Sequence, residues 1–346
     1  MNVNVVTKVP GKLYLVGEYG VVHGTHSLLL ATKVTLSVRV QAAHRSSIHS
    51  TQWTQPILFD FATLTPSNPW MQALCTVRDY LFEQNIALNP CAIQIETDLD
   101  AASHRSLGLG SSGALVVALC EALTTFAQVP LNPLDLYKLS VLSQRQTAAS
   151  TSFGDLACSS FKTTLLYRAP ERSWLLKAQG TLTTLMAQTW PKLVIEPIRH
   201  EPLPLLVINT GEKTSSQALV QAVRTFFEDS KHIPWLNAVD ELVLKTKTAL
   251  EQGDLNVLYT QLNAQRVLHE TLAHQTQAPL FIEAYATLDR LFKDKAHASK
   301  FSGAGGGDNY LIAIDPQPLA PLHALLESTP YVLIQDAIQG VLHDKS

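Results

Sequence analysis

Apolar and β-branched residues alternate with polar ones over residues 3–9, 13–16 and 28–40, a period of two that predicts strands, with Gly17 and Gly24 as breakers. A Pro-Ser-Asn-Pro turn at 66–69 opens a helical period over 71–84, and a strand follows at 92–97. The next helix is predicted over 113–126, closed by Val129-Pro130, and Pro133 stands near the start of another, 134–147. A loop is expected at 153–156, then apolar and β-branched residues to Tyr167. Four prolines (Pro170, Pro191, Pro197, Pro202) punctuate 169–204, which suits a passage between domains. Beyond it come a short buried strand at 205–209 and helical periods at 215–227, 235–252, 255–273 and 279–293. Strands at 310–314 and 331–335 flank a helix at 318–327. Both halves mix the two periods, so the expected class is α+β rather than a regular βαβ array.

Length and composition narrow this picture. A chain of 346 residues suits two domains, expected here at 1–195 and 196–346. With 46% hydrophobic and 16% charged residues it can bury a substantial core. A net charge of −3 and the lack of a basic run argue against a nucleic-acid partner. Cys75, Cys91, Cys120 and Cys158 show no metal-ligand spacing and are expected as reduced thiols. The opening residues have no charged-then-apolar leader pattern, and the apolar run 114–120 is too short to span a bilayer. The expectation is a soluble cytoplasmic protein with no membrane contact.

Candidate chemistry lies in three glycine-bearing stretches. Gly108-Leu-Gly-Ser-Ser-Gly-Ala114 runs directly into an apolar helical period. Such a loop aims several backbone N–H groups and the positive end of a helix dipole at one spot, which suits an anion; a plain helix cap is the simpler alternative. No lysine follows it, so it is not a Walker A loop. Ser302-Gly-Ala-Gly-Gly-Gly-Asp308 holds four glycines in six positions, more than a tight turn needs, and points to a loop hugging a ligand; Asp308 can be a turn cap. In Pro10-Gly-Lys-Leu-Tyr-Leu-Val-Gly-Glu-Tyr19, Lys12 is an odd cation for a buried strand, with a snorkelling surface lysine or an ion pair to Glu18 as alternatives. Asp155, in Ser152-Phe-Gly-Asp155, reads on composition alone as a turn residue.

In order and separation these stretches resemble the three signature motifs of the GHMP kinases, small-molecule kinases that include galactokinase, homoserine kinase, mevalonate kinase and phosphomevalonate kinase. Glu18-Tyr19, Phe153-Gly-Asp-Leu-Ala157, Thr210-Gly-Glu-Lys-Thr-Ser-Ser216 and 302–308 are most similar to the bacterial phosphomevalonate kinase branch. The resemblance implies a two-domain α+β fold, with a ribosomal protein S5 domain 2-like N-terminal ATP-binding domain and a ferredoxin-like C-terminal domain, the active site lying in the cleft. It implies ATP-dependent phosphorylation of 5-phosphomevalonate to 5-diphosphomevalonate, with Mg²⁺, by a monomer or homodimer.

By motif, Gly108, Leu109, Gly110, Ser111, Ser112, Gly113 and Ala114 would wrap the nucleotide phosphates, with Ser112 reaching Mg²⁺. Lys12 and Asp155 would flank the reacting oxygen, and Ser302, Gly303, Ala304 and Gly305 would contact the acceptor. Glu18, Tyr19, Ser152 and Ser215 would join the acceptor side, with Lys213 and Ser216 near its existing phosphate and Asn68 and Trp70 near the nucleotide base. Three positions depart from the family pattern: Asn309-Tyr310 after the third motif, Gln144 where some relatives carry an acid for Mg²⁺, and Lys213. The alternatives are a mevalonate kinase or related small-molecule kinase, and an inactive metabolite-binding sensor on the same scaffold.

Overall fold

The computed structural model describes residues 4–100, 107–147, 151–212, 214–228, 232–315 and 319–334. Packing divides the chain into two units: Met1–Lys12, Val34–Thr163 and Pro170–Leu193 form the first, and Leu13–Lys33, Thr164–Ala169 and Val194–Ser346 the second. The chain last changes unit at Leu193/Val194. The segments Leu13–Lys33 and Thr164–Ala169, placed before that boundary in sequence, pack with the second unit. Strands β1 (Asn4–Val16) and β2 (Ser27–Ala42) each run from one unit into the other.

In the first unit the latter part of β2 pairs antiparallel with β5 (Cys91–Thr97), matching Leu36 to Thr97 and Ala42 to Cys91. Strand β3 (Ser46–Ser50) lies parallel to β5 and antiparallel to β4 (Ile57–Phe59). Leu36, Val38, Val40, Ile93 and Ile95 are all buried, the alternation of a sheet with one covered face. Helices α1 (Pro69–Glu83), α2 (Ser111–Phe126), α3 (Pro133–Gln144) and α4 (Gly154–Phe161) pack on one another. Helix α2 is apolar over most of its surface and its Val117, Leu119, Cys120 and Leu123 are fully buried, so it is the core of this unit. Each such aliphatic side chain removed from water contributes roughly 1.5–3 kcal/mol. Asn68 and Asn132 cap α1 and α3, each with proline at the first helical position.

Four expectations are corrected here. The strands foreseen at 3–9 and 13–16 are one, because the backbone around Pro10 finds partners outside the sheet: Ser159 Oγ donates to the Pro10 carbonyl at 2.8 Å and Lys12 N–H to that of Leu109 at 2.8 Å. The loop foreseen at 153–156 is the start of α4, a helix of eight residues held by packing on α2 and α3 rather than by local propensity. The passage at 169–204 contains α5 (Arg172–Lys177), α6 (Leu182–Ala187) and β7 (Val194–Pro197), with its prolines around rather than inside the helices. Strands β3, β4 and β9 (Ala296–Ser302) were not foreseen. In β9 a lysine, Lys300, occupies a fully buried position and breaks the apolar alternation.

In the second unit the start of β2 pairs with β6 (Leu165–Arg168), and β6 with β7. A separate antiparallel sheet has the order β11 (Val332–Leu333), β8 (Leu205–Asn209), β10 (Asn309–Ile314), β9. Every residue of β8 and β10 is buried, so both faces of that sheet are covered. The strand expected to reach Gln335 ends, among the described residues, at Leu333; Gln335 lies outside them. Helices α7 (Ser216–Ala222), α8 (His232–Gln252), α9 (Leu255–Thr276), α10 (Glu283–Leu291) and α11 (Leu319–Leu326) complete the unit, with α9 lying on β9 and on α8. Among the described residues no helix is long and apolar enough to cross a membrane.

Candidate functional site

Helix α2 begins at Gly110, which takes the left-handed conformation at φ 80°. No side chain caps this end, and its first turn carries no acidic residue. The helices capped by Asn68, Asn132 and Asp254 satisfy one of their first amides internally. Among the described residues the leading N–H groups of α2 have no protein acceptor, the condition in which a helix start can take an anion. Ser111 is half-buried and Ser112 exposed on this first turn. Gly108, at φ 68°, and buried Leu109 lead into it.

Two charged side chains converge on the same turn. A Cβ placed on Gly110 would stand 3.4 Å from Lys12 Cγ, 3.6 Å from Lys12 Cε and 3.5 Å from Asp155 Cβ. A Cβ on Gly113 would stand 2.3 Å from Asp155 Oδ2, so only glycine admits the carboxylate against the helix. Asp155 lies in the first turn of α4, where its Oδ1 accepts the Leu156 amide at 3.0 Å. Helix α4 thus carries an acid in its own first turn, and the same carboxylate lies against the first turn of α2. Ala114 is fully buried behind this turn. Cys158, buried nearby, has its thiol pushed up to about 12 by burial, which keeps it protonated and unreactive.

The remaining candidates of this unit have local partners. Asn68 Oδ1 accepts the Met71 amide at 3.0 Å as the cap of α1, and Trp70 packs against Trp53 at 5.8 Å. Asn68→Ala is therefore expected to lower stability by about 1 kcal/mol, the worth of a helix cap. A thermal melt checks it: an unchanged midpoint would deny Asn68 the role of cap. Ser152 Oγ accepts the Gly154 amide at 3.3 Å, and Gln144 Nε2 donates to Pro69 O at 3.1 Å. That amide ties the end of α3 to the start of α1.

In the second unit the motif around Glu18 meets the third glycine stretch. Tyr19 donates from its hydroxyl to the Ala304 carbonyl at 2.5 Å, and burial raises its phenol far above the ordinary value, so it stays a neutral donor. Ser302 Oγ accepts the Tyr14 amide at 2.8 Å and donates to the Tyr14 carbonyl at 3.0 Å. The loop itself is clamped. Gly306 donates to Leu280 O, Asp308 to Glu212 O, and Gly307 to the Tyr285 hydroxyl, which donates in turn to Gly307 O. Gly303, Gly305, Gly306, Gly307 and Asp308 all have positive φ, the conformation that the density of glycines anticipates. The amides of Ala304 and Gly305 have no protein acceptor among the described residues. Ser215 caps α7 through the Ala218 amide at 3.3 Å, and Lys213 lies outside the described residues.

The cation beside Glu18 is Lys300, a residue that the sequence reading missed. Lys300 Nζ donates to Glu18 Oε1 and to Phe301 O, and both side chains are 1% exposed. Burial raises the Glu18 carboxyl and lowers the Lys300 ammonium, each opposed by the other's charge. The available signal was a lysine two residues before the glycine-rich stretch 302–308. Among the described residues no group of three or more His, Cys, Asp or Glu side chains could hold a metal.

Residues 71–163 match the N-terminal domain of the GHMP kinases. A phosphomevalonate kinase of Streptomyces sp. (strain CL190) is 28% identical, over 90% of this chain and 90% of that one. Among solved structures, a Lin0012 protein from Listeria innocua superimposes with a TM-score of 0.88 at 27% identity, over 96% of this chain and 97% of that one. A Streptococcus pneumoniae phosphomevalonate kinase in complex with phosphomevalonate and AMPPNP gives 0.83 at 23% identity, over 95% and 98%.

Proposed function

We propose that this chain, which has the fold of the GHMP kinases, transfers the γ-phosphoryl group of ATP to 5-phosphomevalonate, giving 5-diphosphomevalonate and ADP. The observation that carries a kinase reading is the convergence of Lys12 and Asp155 on the uncapped start of α2. Phosphoryl transfer asks for alignment of the reacting oxygens and neutralisation of charge, not for a covalent intermediate. The leading amides of α2, its dipole and the Lys12 ammonium together present positive potential to a polyanion. Likeness to phosphomevalonate kinases supports the choice of acceptor.

A phosphate monoester with a second pKa of about 6 is largely dianionic at neutral pH, so this acceptor needs no strong base. Asp155 then serves to orient Lys12. Ser302, Gly303, Ala304 and Gly305, with Tyr19, would form the acceptor side, chiefly through the backbone amides of Ala304 and Gly305, which have no protein acceptor among the described residues. Glu18, Ser152 and Ser215 remain candidate acceptor residues, each with the protein partner described above.

The exposed Ser112 hydroxyl fits a hard, oxygen-seeking cation, and the Asp155 carboxylate lies on the same turn of α2. Mg²⁺ keeps most of its shell as water and phosphate oxygen, so one or two protein oxygens suffice to hold it. When bound with ATP it neutralises charge on the phosphate oxygens.

The test is an ADP-release assay on purified protein with Mg-ATP and phosphomevalonate, mevalonate, homoserine and galactose in parallel. Phosphomevalonate is expected to exceed mevalonate in kcat/KM by at least tenfold, about 1.4 kcal/mol of discrimination. Equal or reversed efficiencies would make the chain a mevalonate kinase. Absence of turnover with every acceptor would make it a metabolite-binding sensor.

A further inference from the structure

We infer that Glu18 and Lys300, together with Gln265 and His269, are positioning residues: a buried polar unit that sets the backbone of loop 302–307 for the acceptor without touching it. The inference rests on the proposed kinase reading for its kinetic consequence, and on geometry alone for the loop. Glu18 sits in the tight turn that ends β1, between Gly17 at φ 96° and Tyr19 at φ 61°. Its Oε1 takes the Lys300 ammonium, and the backbone amides of Glu18 and of Gly303, the first glycine of the loop, pull its carboxyl down against the effect of burial. Lys300 is two residues before that loop and also holds the Phe301 carbonyl. One charge pair therefore fixes both the turn and the loop's first residues.

Gln265 and His269 settle the orientation of the unit. Gln265 Oε1 accepts the Gly17 amide at 2.9 Å, so the other end of its side chain must be the NH₂ group. That group lies 2.9 Å from His269 Nε2, which must then be the acceptor. His269 is accordingly a neutral imidazole protonated at Nδ1, in keeping with full burial and the nearby Lys300 charge, both of which hold it well below the ordinary histidine value. Its ring stacks on Phe301 at 4.3 Å between centroids, and its Nε2 stands 3.8 Å from Glu18 Oε2. Among the described residues Glu18 Oε2 and His269 Nδ1 have no hydrogen-bond partner. A purely structural cluster tends to be saturated; this one keeps two unsatisfied atoms beneath a loop offered to ligand. The Lys300 charge is already matched by Glu18, so the lysine steers the loop rather than binding phosphate.

Glu18→Gln, Lys300→Met and the double variant E18Q/K300M test this. Each single variant leaves one buried charge unpaired, and the double leaves none. For E18Q the acceptor KM is expected to rise about tenfold or more, with the ATP KM within about twofold, because only the acceptor side is disturbed. The double variant is expected to recover part of that loss, since the two residues act as one unit. Amide hydrogen exchange without any substrate is expected to accelerate at residues 302–307 in E18Q, and α2 is expected to stay as protected as in the parent chain. Should the singles fail to fold, the double variant carries the same two measurements against the parent.

Unchanged loop exchange together with an unchanged acceptor KM would overturn the inference. So would an E18Q loss that K300M does nothing to relieve, which would make Glu18 a direct acceptor ligand. If the parent chain turns over no acceptor, the kinase reading fails, and the exchange experiment still decides whether Glu18 and Lys300 set the loop.

Discussion

Lys12→Met is expected to lower kcat by roughly 10²–10³ while leaving the chain folded, because on the proposed kinase reading it removes the cation that neutralises the transferred phosphoryl group. The side chain is half-buried and stacked against Gly110, so methionine fills its volume without its charge. Asp155→Asn keeps the shape and a hydrogen-bonding oxygen for the Leu156 amide. Its loss is expected to be smaller than that of Lys12→Met, since an acceptor that arrives ionised needs no base. The two losses are expected to be less than additive, both residues acting on one lysine–phosphate contact. Steady-state kinetics on the two single variants and the double variant decide the matter. An Asp155→Asn loss equal to that of Lys12→Met would mean a general base at work and a hydroxyl acceptor, and would return the assignment to mevalonate kinase.

Gly110→Val is expected to cost at least ~10²-fold in kcat/KM, the penalty for displacing catalytic groups by about an ångström. Two causes add. A β-branched residue at φ 80° is strained by about 1–3 kcal/mol. Its Cβ would stand 3.4–3.6 Å from Lys12 and Asp155, and its two further methyl groups would press on those side chains. Calorimetric titration with ATP and an assay on the same preparation check the result. Unchanged ATP affinity with unchanged turnover would reduce the loop to a helix cap.

Much of this was legible before any coordinates. The start of α2 was within two residues of its predicted position because glycines and serines gave way abruptly to an unbroken apolar run. The cluster of Lys12 and Asp155 was not legible from those residues alone. Each is ambiguous in its own stretch, and only the packing of α4 on α2 brings them to one glycine. Asp155 in particular resembled a turn residue because Ser152-Phe-Gly is turn chemistry, and the helix that follows owes its existence to burial. Glu18 was recognised as a site candidate, but its partner was sought locally, at Lys12. The actual cation comes from β9, a strand whose inward lysine hid it from any pattern of alternating apolar residues.

Glu18 and Lys300 are separated by 282 positions. A ribosome adding about 5–20 residues per second leaves the carboxylate without its ammonium for roughly 14–56 s of synthesis. Through most of that interval Leu13–Lys33 lacks α9 and β9 to pack on, and Glu18 stays hydrated. Contacts so remote in sequence close slowly, because the intervening chain must be ordered first. Translation thus supplies the anion of this unit early and its cation late, and the unit's last folding step waits for nearly the whole polypeptide.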